Sequence, residues 1–181
     1  MLRFFALLAL CTFAQCCPTI LTKSQWGGRA PSCRSAMVTP VSYVVIHHTE
    51  GNDCFSRAIC TTQAKSIQSY HMDGNGWCDI GYNFLVGGDG FIYEGRGWTT
   101  IGAHSPIYNP ISIGIGFIGS FTSSNPTIAA QNAAKSLISC GVSRGYIKPS
   151  YILKGHRNTA ATDCPGNTFY NTIRTWPRFQ A

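Results

Sequence analysis

Residues 41–49 read VSYVVIHHT. The run is β-branched and aromatic, follows Pro40 and is apolar without a break from Tyr43 to Ile46, so it predicts a central strand covered on both faces. It ends in two histidines. Successive side chains on a strand point to opposite faces, so only one of His47 and His48 is expected to aim at a given ligand, and the period does not say which.

Outward from this strand, segments of strand and helix character alternate, with no repeat, low-complexity tract or linker between them. Residues 57–72 place Cys60, Ala64, Ile67 and His71 on one face of a predicted helix. NFLVGGDGFIYEGR, 83–96, is two short apolar runs about Gly88-Asp89-Gly90, the composition of a hairpin. ISIGIGFIG, 111–119, sets Ile111, Ile113, Ile115 and Phe117 against Ser112, Gly114 and Gly116, so one strand face is bulky and the other nearly bare. A bare face implies close approach by a backbone or a ligand, with tight helix packing the commoner cause. Asn125-Pro126 offers a helix start, Ala130, Ala134, Leu137 and Ile138 an inward stripe, and Gly141 a stop. YILKGH, 151–156, reads as another strand, and Phe169, Ile173 and Trp176 as the inward stripe of a last helix ending before Pro177. A hairpin together with helical crossovers gives an α/β fold with a mixed sheet.

MLRFFALLALCTFA, residues 1–14, has one charge at Arg3 and an apolar run too short to span a bilayer, ending in small residues. It is expected to be a secretory signal peptide, with cleavage after Ala14 or two residues later. Residues 15–181 then form one domain, secreted and without a membrane span. Of 14 Lys and Arg and 7 Asp and Glu, loss of Arg3 leaves 13 minus 7, a formal +6. The cations are scattered, which permits attraction to an anionic surface and gives no support to nucleic-acid binding.

Cys11 leaves with the signal, and the remaining eight cysteines face an oxidising compartment where disulfides are the default. Parity does not decide whether Cys164 is bridged, because cleavage after Cys16 would leave seven. GHRNTAATDC, 155–164, contains His156 and Cys164, two good zinc donors without a third nearby. A third donor must come from elsewhere, an arrangement that usually leaves the fourth position open to water. Strand ends supply such donors: one strand closes at His47-His48 and another at His156.

VVIHHTEGNDC, the Cys54/Cys60 spacing, YHM, GWCDIGYNFLVGGDGFIYEGRGW, GAH, NPISIGIGFIG, LKGHR and CPGN occur in this order. From about Cys17 onward the chain thereby resembles the peptidoglycan recognition proteins, in particular their short secreted form. The resemblance implies a mixed central sheet flanked by three helices, and a secreted innate-immunity protein that binds bacterial peptidoglycan. It implies zinc on His47, His156 and Cys164, with Tyr82 and Thr162 beside the open position, and hydrolysis of the amide between N-acetylmuramic acid and L-alanine. Phage relatives carry lysine where Thr162 stands. The resemblance also places His48, Thr49, His71, Gly76, Trp77, Arg96, His104 and Asn109 along a substrate groove. Gly76-Trp77 with Arg96 matches the combination used for diaminopimelic-acid stems, whose extra carboxylate a guanidinium clamps. The implied bridges are Cys54–Cys60, Cys33–Cys78 and Cys17–Cys140, leaving Cys16 over; a Cys16–Cys164 bond would defeat the metal site. The alternative is a recognition protein that binds peptidoglycan without cleaving it, and a third reading makes Cys164 a thiol nucleophile activated by His156.

Overall fold

A computed structural model describes residues 17–181; the expected signal segment and Cys16 lie outside them. The chain forms strands β1 (Ile20–Leu21), β2 (Val41–His48), β3 (Phe84–Val86), β4 (Ile92–Glu94), β5 (Ser112–Phe117) and β6 (Ile147–Gly155). The helices are α1 (Lys23–Trp26), α2 (Arg57–Ser69), α3 (Ile128–Ser143) and α4 (Asn167–Ile173). One six-stranded sheet results, in the order β1-β4-β3-β5-β2-β6. Within the sheet of the described residues the β3–β4 hairpin is antiparallel and the other strand pairs parallel, so the sheet is mixed, as the hairpin and crossover signals predict.

Alternation along the central strands divides the core. Val44 and Ile46 of β2, with Ile113, Ile115 and Phe117 of β5, point into an apolar layer closed by Ala134, Leu137 and Ile138 of α3 and Phe169 and Ile173 of α4. Under α1 and α2 a second cluster gathers Trp26, Cys60, Ala64, Leu85 and Tyr93. Three disulfides close the described chain: Cys17–Cys140, Cys33–Cys78 and Cys54–Cys60, the set implied by resemblance. Among the described residues Cys164 is the free cysteine, and it is buried.

Among the described residues four α-helices stand where three are expected. The added one is the single turn α1, started by a capping box between Thr22 and Gln25 and anchored by Trp26, whose indole N–H donates to the Glu94 carbonyl at 3.0 Å. Helix α3 starts later than Asn125-Pro126 suggests: Thr127 is the N-cap, accepting from Ala130 N and donating to the Gly88 carbonyl. Nor does Gly141 end it. A Cβ there would press on Ile147 and Trp98, so this glycine serves packing, and the chain turns at Gly145, whose φ of 74° is left-handed. Strand β6 begins four residues before Tyr151 and tolerates Pro149 because it is an edge strand. Helix α2 buries Cys60, Ala64 and Gln68, with Ile67 only part-buried. Gln68 satisfies its amide on Arg29 and Asp79. Past Ser69 the helix widens into a π turn, Tyr70–Gly74, so His71 belongs to that turn.

Candidate metal centre and cleft

Strand register assembles the site. Parallel pairing of Ile46 with Gly155 sets His156, first residue of a 3-10 turn, beside His47, and their ring centroids lie 4.3 Å apart. The loop after that turn folds back to deliver Cys164: the Arg157 amide donates to the Cys164 carbonyl, and the Cys164 amide donates to Thr162 Oγ1 at 3.2 Å. His47, His156 and Cys164 each present one donor atom, and these three atoms lie within 4.8 Å of one another. They sit in the floor of a 550 Å³ cleft whose walls include Thr49, His71, Trp77, Tyr82 and Thr162.

His47 faces the cleft, whereas His48 turns to the other side of the strand. There His48 Nδ1 accepts from Phe121 N at 3.3 Å, and Nε2 stands 2.6 Å from Glu50 Oε1, although the ring still borders the cleft. Thr49 Oγ1 accepts from Gly119 N at 3.1 Å. Tyr82 projects over the bare face of β5, where a Cβ on Gly116 would lie 3.0 Å from its ring, and its hydroxyl donates to the His48 carbonyl at 3.4 Å. A Cβ on Gly114 would overlap the His104 ring. Those two glycines therefore make room for site side chains instead of for a helix.

His71 Nδ1 accepts from Gly81 N at 3.0 Å, and its ring leans on Trp77 at 4.8 Å between centroids. Three expected groove residues lie outside the cleft lining. Gly76 holds a left-handed turn next to Trp77, with φ 69°. Asn109 Oδ1 accepts from the amides of His104 and Ser105, both at 2.8 Å, and so braces the loop that carries His104. Arg96 occupies a neighbouring hollow with Lys23 and Asp79, its guanidinium held by the carbonyls of Ile80, Ile101 and Asp79. Glu50, Tyr70 and Asn75 border the cleft beyond the expected residues, and Asp163 borders it too. Glu50 and Asn75 directly adjoin HHT and GW, so adjacency to those motifs was the available signal.

Burial governs the protonation states. It lowers the pKa of His47 well below the ordinary value, helped by the neighbouring His104, His156 and His48, and it lowers that of His156 as well. Both rings are thus neutral at neutral pH, the state that donates a lone pair to a metal. Burial raises the Cys164 thiol to about 12, the backbone N–H of His48 pulling the other way. The Tyr82 hydroxyl is pushed up by burial first and by Cys164 second, so it stays protonated. Two imidazoles and a sulfur from separate segments, with cleft above them, fit a zinc site whose fourth position is open.

The family profile described as N-acetylmuramoyl-L-alanine amidase matches residues 37–167. Peptidoglycan-recognition protein SC2 of Drosophila simulans is 53% identical over 163 residues, 90% of this chain and 89% of that protein. The structure of peptidoglycan recognition protein LE in complex with tracheal cytotoxin, a monomeric diaminopimelic acid-type peptidoglycan, superposes with a TM-score of 0.88 at 44% identity. That match covers 89% of this chain and 95% of the other. A human recognition protein, PGRP-Iβ C, in complex with glycosamyl muramyl pentapeptide gives 0.88 at 45% identity, covering 91% of this chain and all of the other. Matched by that profile over most of its length and 53% identical to a recognition protein across nine-tenths of it, the chain belongs to the N-acetylmuramoyl-L-alanine amidase family, among the peptidoglycan-recognition proteins.

Proposed function

We propose that residues 15–181 form a secreted zinc-dependent amidase that binds bacterial peptidoglycan and hydrolyses the amide between N-acetylmuramic acid and the L-alanine of the stem peptide. The observation that carries this reading is the convergence of His47, His156 and Cys164 in the floor of an open cleft. Secretion is supported by the apolar segment at 1–14 and by three disulfides. Among the described residues no helix is long and apolar enough to cross a membrane.

His47 and His156, kept neutral by burial, and Cys164, deprotonated on binding, would hold the zinc ion. When bound, zinc supplies Lewis acidity toward the scissile carbonyl and lowers the pKa of a water toward roughly 7. Tyr82 holds its proton on the hydroxyl oxygen and offers it, in place of its long bond to the His48 carbonyl, to the negative charge that develops on the amide carbonyl oxygen. Thr162 Oγ1 already accepts from Cys164 N, which leaves its own proton free for a second bond to that oxygen. Trp77, 37% exposed, and His71 form an aromatic wall for the apolar faces of the stem peptide. The products are glycan freed of peptide and a released stem peptide.

We further assign a preference for diaminopimelic-acid stems, supported by the ligand of the LE structure. Arg96, in the hollow beside the cleft, engages three carbonyls, one from each of its nitrogens, which leaves two of its five N–H groups for a stem carboxylate. The relatives are named for recognition, which favours as second reading a protein that binds muropeptide without cutting it.

One experiment separates these. Purified protein is assayed for bound zinc, for muropeptide cleavage and for affinity, beside Cys164→Ser. The amidase reading expects about one zinc per chain, loss of at least roughly 10³-fold in cleavage by the variant, and affinity kept within about threefold. Equal turnover by the variant, or turnover that survives a zinc chelator, overturns it. Binding without cleavage in both proteins establishes the second reading. Muropeptides differing only at the third stem residue decide the preference, and tighter binding of the lysine form rejects it.

A further inference from the structure

Behind His47 runs a chain of polar contacts that leads away from the cleft. His47 Nε2 meets His104 Nδ1 at 3.0 Å, His104 Nε2 meets Ser112 Oγ at 3.4 Å, and Ser112 Oγ donates to the Tyr108 carbonyl at 2.7 Å. His47, His104 and Ser112 are all buried. On its other side His47 Nδ1 stands 3.8 Å from Cys164 Sγ.

Proton bookkeeping along this chain has one solution for neutral rings. A carbonyl cannot donate, and two oxygens 2.7 Å apart need a proton between them, so the single hydroxyl proton of Ser112 goes to Tyr108. Ser112 Oγ is then the acceptor toward His104, whose Nε2 must carry the ring proton. His104 Nδ1 is left bare and accepts from His47 Nε2–H. His47 Nδ1 is therefore the nitrogen with a free lone pair, and it faces the sulfur.

His104 itself is fixed in place. Its amide donates to Asn109 Oδ1, and its ring lies in a slot that exists because residues 102 and 114 are glycine. The ring stands edge-on to His47, with planes at 82°, which suits a bond in the plane of one ring's nitrogen.

The geometry points to His104 as a positioning residue: through Ser112 and the Tyr108 carbonyl it holds His47 in the tautomer that offers Nδ1 to a metal. Its use rests on the zinc reading above, while the proton assignment stands on the contacts alone. The relay gives His104 a task distinct from touching substrate, and it accounts for a buried imidazole standing next to a three-donor set without being one of the donors.

The test reads ring protonation directly. Long-range proton–nitrogen spectra of the metal-free, ¹⁵N-labelled protein at pH 7 are expected to show the proton on Nε2 in both His47 and His104. A proton on Nδ1 of either ring overturns the relay, whatever the amidase assay gives. Zinc affinity is then compared by competition with a chromophoric chelator. His104→Phe keeps a ring but removes the acceptor, and is expected to bind zinc about 10–100-fold more weakly. His104→Asn places an amide oxygen where Nδ1 stands and is expected to recover affinity to within about threefold of the parent. Ser112→Ala, a milder change should His104→Phe fail to fold, loses less than about tenfold and populates the second tautomer of His104. Unchanged zinc affinity in both His104→Phe and Ser112→Ala rejects the positioning role. A parent protein with the expected tautomers and tight zinc that cleaves no muropeptide leaves the relay standing and removes the amidase reading.

Discussion

The face of the sheet beneath α3 and α4 and the face that floors the cleft are built by alternate residues of the same two strands, β2 and β5. Val44 and Ile46 alternate with Val45 and His47, and Ile113 and Ile115 with Gly114 and Gly116. On the sealed side each residue contributes its own bulk, and the layer holds because apolar area leaves water. On the cleft side β5 contributes nearly nothing of its own. It supplies a flat track on which His104, from the loop that precedes the strand, and Tyr82, from a segment farther back in the chain, come to rest against His47. One surface is thus specified by what its residues are, the other by what they lack.

Adjacent substitutions in β5 break that contrast most sharply. Ile115→Ala should cost about 2–5 kcal/mol of unfolding free energy through the cavity it leaves, with cleavage per folded molecule unchanged. Gly114→Ala adds one methyl group against His104 and should cost about 1–3 kcal/mol in stability. Its cleavage should nevertheless fall about 10–100-fold, because the support of His47 is displaced. Urea titration and kcat/KM measured on the same preparations give both numbers. If Gly114→Ala cleaves normally, or Ile115→Ala loses activity out of proportion to its folded fraction, the division of labour between the faces is wrong.

A smaller effect comes from pH, again at the cleft side. Burial first, and the charge of Arg96 second, lower His71 from 6.5 to about 4, with Asp79 opposing. The folded protein thus resists a proton that the unfolded chain accepts below pH 6.5. Stability from keeping this ring neutral is complete above pH 6.5 and is lost as pH falls from there through 4. The part due to His71 should amount to on the order of 2 kcal/mol between those limits. In His71→Asn, which keeps an acceptor for Gly81 N, the slope of unfolding free energy against pH over this window should flatten. An identical slope in the variant assigns the effect to other groups. The buried residues of the sealed layer include no Asp, Glu, His, Lys or Arg, so substitutions there should move the whole curve without bending it over this window.

What was legible in the chain follows the same division. The continuous run at 43–46 announced a strand covered on both sides, and Gly88-Asp89-Gly90 announced the hairpin, because bulk and turn chemistry act within a few residues. Strand ends carrying His47 and His156 were visible too, and the ordered motifs supplied Cys164 and Tyr82. Beyond local reach lay the occupants of the bare face. Gly114 and Gly116 read as a gap, and local pattern does not say that the His104 and Tyr82 rings fill it. Resemblance places Arg96 and Asn109 on the groove, and in the structure both are anchored on backbone groups outside the cleft lining. The π turn that carries His71 also escaped, since a helical period continues through it until tertiary contacts widen the turn.

The smallest expected effect tests a boundary that local reading put two residues early. Asn125-Pro126 has the form of a helix start, and Thr127 displaces it because one hydroxyl does two jobs there. It accepts from Ala130 N at 3.1 Å and donates to the Gly88 carbonyl at 2.8 Å, tying α3 to the hairpin. Asn125 instead uses its side-chain oxygen to accept from Thr172, outside α3. Thr127→Ala should therefore destabilise the protein by about 1 kcal/mol, the usual cost of losing a helix cap. Thr127→Ser, which keeps the hydroxyl, should recover most of it. Cleavage should be untouched in both, because α3 lies across the sheet from the metal site and the substitution removes neither a cleft wall nor a donor. Loss of cleavage at constant fold in Thr127→Ala would mean that the two faces communicate through the hairpin, and the sealed side would then have a part in the chemistry.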